Sequence, residues 1–180
     1  DVYKRQVYAL DAQTGTELWR FQGASDFDAS PAVGPSGELY LAGEDGWVRA
    51  LSSDGTVRWR LALGAPVRAP IGITRDGELL LRTGGGAPEL IRLGQDGQRR
   101  WVTRLALNDV VGRATVSPAV ELPSGQIAAA TVNQELLLLD AEGRPVLRVP
   151  IEAPVSAPPV VNGELLYLVT QAGAVRELRF

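Results

Sequence analysis

The 180-residue sequence has no cysteine, no histidine and no methionine. Without cysteine there is no disulfide, no thiolate nucleophile and no cysteine metal site, and the redox compartment goes unreported. Without histidine, the usual general base near neutral pH and the commonest metal ligand are both missing. Lysine is nearly absent as well: of 18 basic residues, 17 are arginines and the other is Lys4. No apolar run approaches the ~18 residues that a membrane-spanning helix requires. A net charge of −3 leaves no concentrated basic footprint for nucleic acid. The balance leans toward many short strands, because 20 glycines and 12 prolines leave no helix-length stretch free of turn signals.

The first six residues, DVYKRQ, hold the single lysine and match nothing later in the chain. Residues 1–6 read as a non-native leader outside the fold. With no initiating methionine, the chain reads as a fragment, so a missing signal peptide says nothing about export.

What is present is a repeat. Gly15/Trp19, Gly55/Trp59 and Gly97/Trp101 share one spacing, and a fourth copy has Gly143 with Leu147 in the aromatic position. The glycines lie 40, 42 and 46 residues apart. A second anchor keeps step with the first: SPAV from Ser30, APIG from Ala69, SPAV from Ser117 and APPV from Ala157. Each is followed by a turn glycine (Gly37, Gly77, Gly125, Gly163) that opens an apolar run such as GELYLA or GELLLR. A period near 40 is the signature of a repeat architecture.

Within one unit the pattern is that of strands: short runs of apolar or alternating residues bounded by Gly, Pro, Asp and Asn. Four such strands in about 40 residues make one blade of a β-propeller, so the fold class is all-β, with four-stranded antiparallel blades. The second and third strands are apolar at nearly every position, as strands covered on both faces must be. The fourth carries arginines around its tryptophan (Arg58 and Arg60; Arg99, Arg100 and Arg104), and charge on an outermost strand discourages edge-to-edge pairing.

The stretch Ala9-x-Asp11-x-x-Thr14-Gly15-x-x-x-Trp19 has a mechanical reading. Glycine supplies the positive φ of a tight turn, and the Asp or Thr side chain bonds nearby backbone N–H groups. The tryptophan four residues on lies against the neighbouring blade, where its large apolar area is used. Asp11, Thr14, Gly15, Trp19, Gly55, Trp59, Gly97, Trp101 and Gly143 are therefore assigned to blade docking.

This motif resembles the tryptophan-docking motif of the pyrroloquinoline-quinone (PQQ)-like β-propellers. The first copy fits at every motif position; the later copies have one residue fewer before the glycine, and the fourth lacks the tryptophan. The resemblance covers residues 7–180. It divides them into a half blade at 7–21, blades at 30–63, 67–106 and 115–150, and an incomplete blade at 155–180. The result is an arc of four to five blades, expected to be the C-terminal part of a seven- or eight-bladed parent.

The resemblance includes dehydrogenases that use PQQ and calcium, many with adjacent cysteines that this chain lacks. The only calcium-like spacing is Asp26-x-Asp28-x-Ser30. It has Pro31 where an EF-hand loop needs glycine and Gly37 where it needs its final glutamate, and reads instead as turn chemistry. RTGGGAPEL joins two strands, lacks the Lys-Ser/Thr of a P-loop and leads into no helix. No cofactor and no catalytic or metal-binding residue are expected. The connections between blades vary most, and loops on a rigid scaffold are where binding resides. Asp26, Asp28, Arg68, Asp109 and Arg113 are the candidate partner-binding residues. The resemblance implies a non-catalytic scaffold for protein partners in the periplasm or cell envelope, of the outer-membrane assembly type. A fragment of a PQQ- and calcium-dependent alcohol or sugar dehydrogenase, or a ligand-sensing domain of a signalling protein, are the alternatives.

Overall fold

The computed structural model describes residues 5–106, 117–131, 133–155 and 157–180. They form five antiparallel sheets and no α-helix. Sheet I pairs β1 (Gln6–Leu10) with β2 (Glu17–Gln22). Sheet II is β3 (Ala32–Val33), β4 (Leu39–Ala42), β5 (Trp47–Leu51) and β6 (Val57–Ala62). Sheet III is β7 (Gly72–Ile73), β8 (Leu79–Arg82), β9 (Glu89–Leu93) and β10 (Arg99–Arg104). Sheet IV is β11 (Val120–Glu121), β12 (Ile127–Ala130), β13 (Glu135–Leu139) and β14 (Pro145–Pro150). Sheet V is β15 (Val160–Asn162), β16 (Leu165–Val169) and β17 (Val175–Arg179). Strand order follows chain order in every sheet, as short hairpin turns require. The arrangement is a partial propeller.

Burial follows the strand's place in its sheet. β8 and β12 are buried along their whole length, and β4, β5 and β13 at all but their first residue. The fourth strands β6 and β10 alternate between exposed and half-buried residues. Alternate side chains of the inner strands point to opposite faces, so sheets III and IV each feed two cores. Leu79, Leu81, Ile91 and Leu93 pack on Tyr40, Val48 and Ala50 of sheet II. Leu80 and Leu90 pack the other way, on Ile127, Ala129 and Leu137 of sheet IV. Ala128, Leu136 and Leu138 then meet Leu166 and Leu168 of sheet V. The two-residue first strands touch one another, β3 with β7 and β7 with β11, and form the innermost layer.

Three arginines depart from the all-apolar expectation for the inner strands: Arg49 and Arg82 are buried and Arg92 is half-buried. Arg49 on β5 is held by Asp45, with Nη2 donating to Oδ2 at 2.5 Å. Arg92 on β9 donates to Glu78 at 2.6 Å and to Glu121 of the next sheet at 3.4 Å. Arg49 and Arg92 thus have carboxylate partners, and Arg82 on β8 donates to the Ala130 carbonyl of sheet IV at 2.6 Å; a buried charge is tolerated when it is paired or hydrogen-bonded.

Candidate binding surface

The tight turns are built as their residues dictate. Asp11 Oδ1 accepts hydrogen bonds from the backbone N–H of Thr14 at 2.7 Å, from the Thr14 hydroxyl at 2.9 Å and from the Gln13 N–H at 3.0 Å. These bonds favour the ionised carboxylate and hold its pKa below the usual range, the Thr14 backbone bond contributing most. In the next copies Asp54 accepts from Ser52 Oγ and the Thr56 N–H, and Asp140 from the N–H groups of Arg144 and Glu142.

In three of the four copies a tryptophan beyond the turn reaches the following sheet. Trp19 Nε1 donates to the carbonyl of Ser53 at 2.8 Å, Trp59 to Gln95 at 2.7 Å and Trp101 to Ala141 at 2.9 Å. Each acceptor stands two residues before a glycine of positive φ: Gly55 (+85°), Gly97 (+77°) or Gly143 (+81°). The indole lies flat against that glycine. A Cβ on Gly55 would be 2.7 Å from Trp19 Cδ2, and one on Gly97 2.9 Å from Trp59 Cδ2. Glycine is thus required twice at the same atom, for φ and for the approach of the ring. Gly15 has φ +71° and an open Cβ position.

Between sheets IV and V the pattern lapses. Leu147 is 54% exposed, and nothing lies within 4 Å of a Cβ built on Gly173. Leu147→Trp is therefore expected to fill this place and find the Gln171 carbonyl as its acceptor. The gain is about 1 kcal/mol, or roughly 2–4 °C in melting temperature for a chain of this size. Thermal denaturation followed by circular dichroism checks it, and an unchanged or lowered melting temperature would refute it.

The fourth-strand arginines do more than charge an edge. Arg58 donates to Glu38 at 2.9 Å and Arg100 to Glu78 at 2.7 Å. In both cases the glutamate opens the second strand and the arginine precedes the docking tryptophan. Glu78 therefore serves Arg92 and Arg100 together. Burial works to raise its pKa, but hydrogen bonds from Arg100 and Arg92, with their charges, hold it below the usual value.

Three of the five candidate partner-binding residues fall within the described structure. Asp26 and Arg68 converge on the turn between β4 and β5. The Asp26 carbonyl accepts the Glu44 N–H at 3.0 Å, while Arg68 holds the Glu44 carboxylate at 2.6 Å. The Asp26 carboxylate is itself 3.3 Å from Arg5 Nε. Asp28 is exposed two residues away. Asp109 and Arg113 lie outside the described residues. The surface also includes Glu44, Asp45 and Arg49, which carry no sequence signal beyond a GEDG turn. Burial acts to raise the pKa of Asp45; the hydrogen bonds from the Arg49 side chain and the Trp47 N–H, with the charge of Arg49, outweigh it and hold the pKa low. Among the described residues no three of His, Cys, Asp and Glu converge to hold a metal ion. No helix among them is long and apolar enough to cross a membrane.

Residues 4–131 match the family model described as outer membrane protein assembly factor BamB. The chain belongs to that family of PQQ-like propellers. No curated relative matches it in sequence. Among solved structures, BamB from Moraxella catarrhalis superposes with a TM-score of 0.75 at 16% identity, over 92% of this chain and 53% of that one. Sqt1 of Saccharomyces cerevisiae gives 0.78 at 15% identity, over 96% and 52%. A protein of unknown function from Bacteroides caccae gives 0.69 at 12%, over 97% and 69%. At these identities the likeness is one of fold. The chain spans about half the length of BamB and of Sqt1.

Proposed function

We propose that this propeller arc works without catalysis or cofactor, as a protein-binding scaffold in the bacterial cell envelope. One observation carries the reading. The carboxylates and arginines that recur from copy to copy are taken up in turns and in ion pairs within their own sheets, whereas the connection 23–31, which does not recur, and Arg68, which stands where the repeated APVxAP of 65–70 and 153–158 has Ser156, converge on the Glu44 turn. That leaves Asp26, Asp28, Arg68 and Glu44 as an individual surface on a repetitive frame, which is how rigid scaffolds present binding loops. Membership of the BamB family supports the envelope location.

Two measurements test it. The protein carrying a photo-crosslinking residue at Asp28 is expected to yield a discrete crosslinked species in the envelope fraction of its cells. Reversing Arg68 to Glu is expected to remove that species while leaving the melting temperature within about 2 °C. A saturable rise in melting temperature with PQQ and calcium would instead establish the dehydrogenase reading. A uniformly soluble cytosolic protein would remove the envelope assignment.

A further inference from the structure

The interface between sheets I and II differs from the others. Where the buried residues of the other three interfaces are aliphatic except for Tyr40, this one brings Phe21 and Phe27 (ring centroids 6.2 Å apart) against Arg49, whose guanidinium lies 5.9 Å from the Phe27 ring. Between β2 and the outer strands of sheet II it leaves a cleft of about 480 Å³, lined by Phe21, Arg49, Val57 and Arg60. That volume lies within the range of small-molecule sites.

Arg49 and Arg60 stand directly opposite one another across β5 and β6. Like charges at opposed positions of an antiparallel pair are unfavourable. The fold does not impose this pairing: the same register position holds Tyr8 and Arg20 in sheet I, Ile91 and Val102 in sheet III, and Leu137 and Arg148 in sheet IV. The other arginines at this position are neutralised, Arg20 by Glu17 at 2.9 Å and Arg148 by Glu135 at 2.9 Å. Arg49 is neutralised by Asp45. Arg60 alone has no carboxylate within ion-pair distance among the described residues. Its guanidinium is instead set over the Trp47 ring, 5.2 Å from the centroid, which orients it without removing its charge.

We infer that the cleft between sheets I and II binds a small, flat organic carboxylate. Its anionic group pairs with Arg60 beside the Asp45-anchored Arg49, and its apolar body lies against Phe21 and Val57. The cleft adjoins the Glu44 surface and shares Arg49 with it, but its carboxylate partner Arg60 lies outside that surface, so the proposal stands whether or not that surface binds protein. A guanidinium fork recognises a carboxylate through paired hydrogen bonds. The aromatic wall adds area that a bare inorganic ion does not use.

The test is calorimetric titration of the purified protein with 2-naphthoate at low ionic strength. A saturable one-to-one isotherm is expected, at least about tenfold weaker for the neutral 2-naphthamide and for Arg60→Gln, since each removes a charge-assisted pair. Arg60 is exposed, so the variant is expected to melt with the native protein. Val57→Asp places a competing carboxylate in the cleft and is expected to abolish binding in a folded protein. An absent isotherm, equal binding of the amide, or undiminished binding by Arg60→Gln would overturn the proposal. Displacement of naphthoate by an equal concentration of inorganic phosphate would overturn the requirement for a flat body.

Discussion

Replacing Gly72 with valine, the residue two places after the anchoring proline in the other three copies (Val33, Val120, Val160), is expected to destabilise the protein by about 3 kcal/mol or more. Ordinarily a change toward an internal consensus is neutral or helpful, and valine suits a strand better than glycine. At Gly72 the opposite holds. A Cβ there would run into the backbone carbonyl oxygen of Ala119, at the point where β7 meets β11 in the innermost layer. A flexible side chain could swing aside, but a carbonyl in the first strand of the next sheet moves only if the two sheets part. The φ of Gly72 is not in the left-handed region, so the penalty is one of space, and alanine is expected to incur much of it. Urea denaturation of Gly72→Ala and Gly72→Val beside the native protein measures both. Retention of native stability by the valine variant would show that the sheets are free to shift.

Trp59→Ala has the second large expected effect, a loss of about 3 kcal/mol, equivalent to roughly 6–12 °C in melting temperature. The truncation takes the indole off Gly97, removes the donor to the Gln95 carbonyl and opens the edge of the core around Tyr40, whose ring lies 6.1 Å from that of Trp59. Trp59→Phe separates the contributions. It keeps most of the apolar contact and loses the hydrogen bond, with an expected cost nearer 1 kcal/mol. If alanine and phenylalanine prove equally mild, the tryptophan packs on its neighbour without holding it.

Much of this was readable from local chemistry. Turn glycines, capping aspartates and strand alternation act over a few residues, so Gly55, Asp11 and Trp59 announced their roles through spacing alone. The ion pairs were not readable, because partners such as Glu38 and Arg58, or Arg92 and Glu121, are 20 and 29 residues apart. Sequence alternation says which face a side chain takes, not which charge waits there. Arg49 sits in an apolar strand and gave no warning of its burial, which depends on Asp45 folding back from the preceding turn. Gly72 looked like a weak copy of a valine, since the Ala119 carbonyl that forbids a side chain belongs to another repeat. For the binding surface, the variable connections indicated Asp26 and Arg68 but not Glu44, the residue on which they converge.

The indole-on-glycine contacts carry a consequence for how such a protein is counted. Every contact is directional: one sheet presents the ring and its successor presents the glycine, so the two sides of an interface are never the same surface. A head-to-tail bond of this kind is not saturated by pairing, and repeated with a constant rotation it generates a ring whose membership is set by the angle per step. The chemistry of Trp59 on Gly97 is indifferent to how many such steps there are. A blade can therefore be duplicated or lost in evolution without rewriting any single interface, provided the curvature still lets the circle meet itself.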